Sequence, residues 1–549
     1  MANENSQNSV ENIEVTDTAG KLARGFLHNP LTAVLAVALL LIGYLSLEIM
    51  PREEDPQIAI SGGSIIIPAP GLTPKEVEKI IVEPLEQKLK EIKGIEHIYS
   101  MSSNNVAVVN VMYYIGQNRE VSNLKIYDKV MQNMDKMPKK IMQPMIKPLD
   151  IDIDIPIVNI AFFQKNSNID YYEYLSIIQD LKKELSTVQA VSKTKLYGAK
   201  KQQFNVDIDL GKLKGYHISI GQIAQAIEGI TTIVPDVKTK TKDNKIVVFG
   251  IKNAIESVED VGNIIIASYM GSPIYLKDVA TVKAGINYQD KKSASIIIKD
   301  KNDIKVHNQI TLSIAKLAGT NAVTVSNSVD KLLEEKKELL EEKGIEFIIT
   351  RNYGERANEA VNELVHHLVI TIFIIAIVLV IALGWRESLI VTFTVPAILA
   401  VTLFIAYITG QTINRITLFA FLLSLGLLVD AAIIVIENIH RHMHDHDAVD
   451  REKDEIMITA TDEIGAPTNI ATLAIILTMV PMAFVGGMMG EFMKPIPYNV
   501  PVALFASLVV AYIFTPYLAN KMLKKPKMHH HHHHHHEHHD KDNFQKEGK

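Results

Sequence analysis

A carboxylate buried in an apolar run is the first residue here with the makings of chemistry. Asp430 lies in Leu427-Leu428-Val429-Asp430-Ala431-Ala432-Ile433-Ile434-Val435-Ile436-Glu437-Asn438, well inside a stretch long enough to cross a bilayer. An ionised carboxylate at that depth costs several kcal/mol, so it is expected to face a bundle interior and to exchange protons or pair with a cation. Glu437 follows seven residues later, two helical turns down the same face, and Asn438 flanks it. Asp430, Glu437 and Asn438 are thus the proton-coupling candidates. No Lys or Arg lies deep in any apolar stretch, so Asp430 has no internal cationic partner in this sequence. The other use of Asp430 is structural: a neutral carboxyl hydrogen-bonded to Ser424, Thr417 or a neighbouring helix.

Histidine supplies a second cluster. Most of the 20 histidines fall in two places: His440, His442, His444 and His446 after the fourth apolar stretch, and His529, His530, His531, His532, His533, His534, His535, His536, His538 and His539 in the tail. They form a possible weak metal-binding or buffering tract, and the unbroken tail run also has the pattern of a purification tag. There is no cysteine, which removes disulfides, thiolate zinc sites, iron–sulfur clusters and cysteine nucleophiles. Gly486-Gly487-Met488-Met489-Gly490 lacks the Lys and Ser/Thr of a phosphate loop and suggests close packing or a tight turn. Neither a Walker A, a G-x-S-x-G nor an H-E-x-x-H sequence occurs, so no enzyme class and no cofactor is expected. A net charge of -6, from 56 Lys plus Arg against 62 Asp plus Glu, gives no sign of a nucleic-acid partner.

Asp430 needs a membrane bundle to hold it. Of 549 residues 47% are hydrophobic, and they concentrate in six runs: Leu31–Met50, Leu364–Leu383, Leu389–Ile408, Ile416–Ile439, Pro467–Phe484 and Val500–Leu518. One such run fits a buried core helix, but five within the last third of the chain fit membrane spans. The first run lacks a small-residue cleavage pattern after it and is expected to stay as an anchor. Lys21, Arg24, Arg386, Arg441, Arg451, Lys453, Lys521, Lys524, Lys525 and Lys527 flank one side, against Arg415 and Lys494 on the other. Both termini are therefore expected in the cytoplasm, with the large domain outside it.

That outer domain has the periodicity of a mixed α/β unit with internal repetition. Thr73-Pro74-Lys75-Glu76 opens a helix with an N-cap, a first-turn proline and a capping-box start. A strand precedes it, another is expected at Val106–Tyr114, and a helix at about Arg119–Met134 precedes the proline-punctuated stretch Pro138–Pro156. A second unit repeats the order with strand Ile157–Phe163, helix Tyr171–Thr187 and strand Val191–Tyr197. Helices on one side of small sheets suggest subdomains of ferredoxin-like type. Met101, Met112, Met131, Met134, Met137, Met142 and Met145 crowd the first unit as core filler, surface residues or the lining of a substrate or metal path.

Several stretches resemble one family closely: Met50-Pro51-Arg52-Glu53-Glu54-Asp55-Pro56, Val82-Glu83-Pro84-Leu85-Glu86, Gly426 to Asn438, Pro481-Met482-Ala483-Phe484-Val485-Gly486-Gly487 and Phe514-Thr515-Pro516. With the layout of one span, a large outer domain and five spans, they resemble the N-terminal half of a resistance-nodulation-division efflux permease of the acriflavine-resistance type. The resemblance implies a six-span α-helical membrane bundle with a large extracytoplasmic α/β porter domain. Residues 1–28 would be a cytoplasmic segment, 29–50 the first span, 51–363 the periplasmic porter domain, 364–523 spans two to six, and 524–549 a His-rich cytoplasmic tail. It implies a secondary transporter of the bacterial inner membrane, driven by the proton gradient, that exports small hydrophobic or amphiphilic compounds or metal ions. Drug-exporting members carry Asp-Asp in the fourth span; here Ala431 follows Asp430, a form more like metal-exporting members. The family's permeases have two homologous halves, so the implied partners are a second-half permease protein with the lysine that faces the aspartate, a periplasmic adaptor and an outer-membrane channel, in a trimeric assembly. The alternative is a transport-inactive scaffold or truncated half-permease that only docks partner proteins.

Overall fold

The computed structural model describes residues 12–526 apart from 59, 140, 150–154, 167, 232–236, 241, 242, 244 and 250–254. The tail histidines His529–His536, His538 and His539 lie outside the described residues. Two compact units emerge: Met1–Ile155 with Lys316–Ser326 and Tyr353–Lys549, and Pro156–Ala315 with Asn327–Asn352.

The first unit begins with α1 (Thr18–Phe26), whose N-cap Asp17 accepts from the Thr18 N–H, and with the apolar α2 (Leu31–Ile49). Next comes a small α/β subdomain of β1 (Gly62–Pro68), β2 (Ile95–Ser103), β3 (Val106–Tyr113) and β4 (Met145–Pro148), in sheet order β2-β3-β1-β4. Two helices cover one face. The first, α3, runs from Pro74–Val77 through a π-helical turn at Glu78–Val82 to Glu83–Leu89; the second is α4 (Arg119–Gln132). All three pairings in the sheet are antiparallel, which with the order β-α-β-β-α-β is the ferredoxin-like arrangement. Alternation along β3 buries Ala107, Val109, Val111 and Tyr113 against Val77, Ile81, Leu85 and Leu89 of α3. Met101, Met112, Met131, Met142 and Met145 are exposed, so this core is built without them.

The second unit repeats the plan. Its strands are β5 (Pro156–Gln164), β6 (Val191–Tyr197), β9 (Ser295–Asp300), β10 (Asp303–Lys316) and β11 (Ile345–Asn352), ordered β9-β10-β5-β11 with β6 also on β10. Helix α5 (Tyr171–Ser186) packs on β6, and a second helix, α6 (Ala322–Glu342), precedes β11. Between β6 and β9 the insertion carries a two-stranded ribbon of β7 (Gln202–Ile208) and β8 (Ala280–Ile286).

Six helices in the described residues are long and apolar enough to cross a membrane. After α2 they are α7 (Tyr353–Ala382), α8 (Trp385–Ile408), α9 with α10 (Arg415–Leu428 and Asp430–Met443), α12 (Gly465–Ala483), and α13 with α14 (Gly487–Met493 and Pro495–Met522), with the polar α11 (Lys453–Glu463) ahead of α12. The helix that carries the second apolar run starts before Leu364: the polar turns Tyr353–Glu363 are helical and bury Ala357 and Val361. Helix α8 passes uninterrupted through Pro396, and Pro481 sits in the last turn of α12. Helix α14 is the hub, packed against α8, α9, α10 and α12. Val37, Phe373 and Ile470 stay exposed, as lipid-facing side chains must. A Cβ on Gly43 would fall 2.2 Å from Ala400 Cβ, so only glycine lets α2 lie this close to α8. Gly490, inside α13, shows the close packing that its motif suggested: a Cβ there would meet the Val485 carbonyl oxygen at 1.9 Å.

Candidate ion-coupling site

The fourth span is broken one residue before its carboxylate. α9 ends at Leu428, Val429 caps it, and α10 begins at Asp430. The Ile433 N–H still donates to Val429 O at 2.9 Å, so the axis continues through the break.

Burial divides this span sharply. Ala431, Ala432, Val435, Ile436 and Ile439 are buried in the bundle core. Leu423, Gly426, Asp430, Ile434 and Glu437 form the opposite stripe and are exposed. Asp430 therefore does not face the interior of these six helices, which corrects that expectation. It shares with Glu437 a face that the described residues leave open. Seven residues of helix separate the two by about 10 Å along the axis.

Among the described residues, nothing hydrogen-bonds to or ion-pairs with the Asp430 carboxylate. The hydroxyls expected to neutralise it are engaged elsewhere: Ser424 Oγ donates to Phe421 O at 3.0 Å, and Thr417 Oγ1 to Thr412 O at 3.3 Å. Asn438 turns the other way. Its Nδ2 donates to Ala460 O at 2.7 Å and its Oδ1 accepts from Arg441 Nη2 at 2.8 Å, so it ties α10 to α11 and stands apart from the two carboxylates.

The histidines at the end of α10 disperse. His440 Nδ1 is hydrogen-bonded to Glu387 Oε1 at 3.0 Å, and its ring stacks on His444 with centroids 4.1 Å apart. His442 Nε2 meets Glu463 Oε2 at 2.6 Å while Arg451 Nη1 donates to His442 Nδ1 at 3.1 Å. Arginine can only donate, so Nδ1 is an acceptor and the proton sits on Nε2, facing the glutamate. His446 contributes a backbone N–H to Asp445 Oδ1 at 2.8 Å. Among the described residues no three His, Asp or Glu side chains gather to hold a metal ion. Burial alone would raise the Glu463 carboxyl, but the hydrogen bonds of His442 and Asn438, with the charge of Arg441, hold it below the usual glutamate value.

Around this end, residues far apart in sequence are bound together. Asp462 Oδ1 accepts from the Asp17 N–H at 2.8 Å, His28 Nε2 meets Asp454 Oδ2 at 2.8 Å, and Arg386 Nη1 donates to Met522 O at 3.2 Å. Sequence reasoning missed this polar layer, whose signal was only the surplus of Lys and Arg.

Residues 23–546 match the model of the AcrB/AcrD/AcrF family. The solvent-resistant pump membrane transporter SrpB of Pseudomonas putida is 25% identical over 92% of this chain and 48% of its own length. The toluene efflux pump membrane transporter TtgE, also of Pseudomonas putida, is 26% identical over 92% and 48%, and Protein HelA of Legionella pneumophila 26% over 89% and 46%. The chain thus spans about half the length of the curated relatives it matches.

Proposed function

Because the chain belongs to the AcrB/AcrD/AcrF family, we propose that it works as one half of a proton-coupled efflux permease of the inner membrane, with Asp430 as the coupling carboxylate. The observation that carries the reading is the open stripe of Asp430 and Glu437. A carboxylate turned toward lipid at mid-span is costly, so this face calls for a cover that supplies a cation or a water path. A second porter-plus-six-span half, on the same polypeptide or another, provides that cover, and the coupling site lies at the seam between the halves. Both termini are cytoplasmic, as the Lys and Arg distribution favours. Three such pairs, with a periplasmic adaptor and an outer-membrane channel, make the working assembly. The names of two relatives, a solvent-resistance pump and a toluene pump, support small hydrophobic compounds as substrate, with metal ions as the other class.

Asp430→Asn tests this. Moving one charge through the membrane field is worth about 2.3 kcal/mol per 100 mV, a bias of about 50-fold, and the amide forfeits it. In vesicles holding both halves, dye efflux driven by an imposed pH gradient should fall to the passive leak in Asp430→Asn and only partly in Glu437→Gln. Unchanged efflux by Asp430→Asn would leave Asp430 a structural carboxyl, and no efflux from the unaltered assembly would favour the scaffold reading.

A further inference from the structure

The Pro51–Pro56 stretch has no part in the reading above, and its geometry gives it one. Backbone from Pro51 to Glu54 lies along the loop between α8 and α9. Ile413 N–H donates to Pro51 O at 2.8 Å, Glu53 N–H to Ile413 O at 2.9 Å, and Arg415 N–H to Glu54 O at 2.9 Å. Glu53 of this strap is 4% exposed, and Lys316, at the end of β10, is 5% exposed. Lys316 Nζ donates to Glu53 Oε1 at 2.6 Å, and Thr412 Oγ1 donates to Glu53 Oε2 at 2.9 Å. Both oxygens of a buried carboxylate are thereby satisfied by residues remote in sequence.

A buried ion pair is weak support for stability, since well-packed apolar side chains often serve as well, so its presence asks for another use. Each partner sits at a strategic place in the chain. Glu53 closely follows α2. Thr412 precedes Asn414, whose side chain caps α9 by accepting from the Ile416 and Thr417 N–H groups, and α9 leads to Asp430. Lys316 ends β10, where the chain passes from the second unit into the first. The strap also holds the residues after it: Ala322 N–H donates to Arg52 O at 2.9 Å, and Gly319 N–H to Gln57 Oε1 at 2.8 Å.

We propose that the Glu53–Lys316 pair, held by Thr412, is a transmission joint: these are positioning residues that pass a movement of α9 and α10 to the chain crossing at Lys316, and so to the porter residues Pro156–Ala315. The inference rests on the reading of Asp430 as the coupling group. Protonation of Asp430 shifts α9, the capped loop moves with it, and the charge pair makes the strap and Lys316 follow as one body.

The absence of native cysteine makes the test clean. Leu124→Cys and Ile297→Cys, both at exposed positions in separate units, take spin labels in the assembled protein in lipid nanodiscs. Infrared difference spectra follow the Asp430 carboxyl while pulsed electron paramagnetic resonance follows the label distance as the pH is stepped between about pH 5 and pH 8. The unaltered protein should show both changes and Asp430→Asn neither. The double variant Glu53→Met with Lys316→Met leaves no lone buried charge, and it should fold, keep the carboxyl signal and lose the distance change. A distance change that survives in this double variant overturns the joint, as does an unaltered protein whose Asp430 titrates while the labels stay still. An unaltered protein without an Asp430 carboxyl signal removes the coupling reading itself.

Discussion

Asp430 and Glu437 share a face while Asn438, their neighbour in sequence, is spent on architecture. The depth of Asp430 was legible in the sequence because an apolar run has few ways to tolerate a carboxylate. The role of Asn438 was not, since its partner Ala460 is 22 positions away on another helix. The two kinds of residue respond differently to substitution. Asp430→Asn removes no bond among the described residues and should leave thermal stability within about 0.5 kcal/mol of the unaltered protein. Asn438→Ala strands the Ala460 carbonyl and part of the Arg441 guanidinium, and should cost about 1–3 kcal/mol in detergent melts. Equal effects from the two would contradict this division. Ser424 and Thr417 were alternative partners for Asp430 on spacing alone. Their hydroxyls instead bond to carbonyl oxygens three and five residues back, a local competition that periodicity does not reveal.

Elements with one buried face were the easiest to foresee. β3 alternates cleanly, and Thr73 caps α3 by accepting from the Glu76 N–H. β2 and β4 escaped notice. β2 exposes His97, Tyr99 and Met101, mixing polar and apolar side chains on its outer face, and β4 is four residues inside a proline-rich stretch. The packing of α3 on its sheet predicts a conventional core penalty: Leu85 is fully buried, and Leu85→Ala should cost about 2–5 kcal/mol, read as a lowered midpoint in thermal unfolding. At the end of α11 the depressed Glu463 carboxyl adds a pH dependence. A folded-state pKa below the unfolded one contributes stability that is fully present above about pH 4.3 and is lost as pH falls through the folded value. Its side chain is 49% exposed, so the contribution is small, under about 1 kcal/mol. Melting curves of Glu463→Gln should be flatter than those of the unaltered protein between about pH 5 and pH 3, the range that brackets this titration; identical slopes would show that the His442–Glu463 bond carries no such linkage.

On the scale of the molecule, the chain joins two ferredoxin-like units to six spans, and the fourth span carries a carboxylate face that the described chain leaves uncovered. The layout was legible from apolar runs and strand-helix periodicity, but the direction of Asp430 was not, because helical spacing tells which residues share a face and never which neighbour covers it. The second half proposed above supplies that neighbour, and the proposed coupling at the seam then has a strict consequence. If protons enter through Asp430 in exchange for substrate, adding substrate to sealed vesicles that hold an imposed pH gradient must speed the decay of that gradient. The decay can be followed with a pH-sensitive dye in vesicles containing this chain and its second half. The expected result is substrate-evoked proton movement in the unaltered protein and none in Asp430→Asn; equal proton movement in both, or substrate transport without any, would contradict proton coupling through this residue.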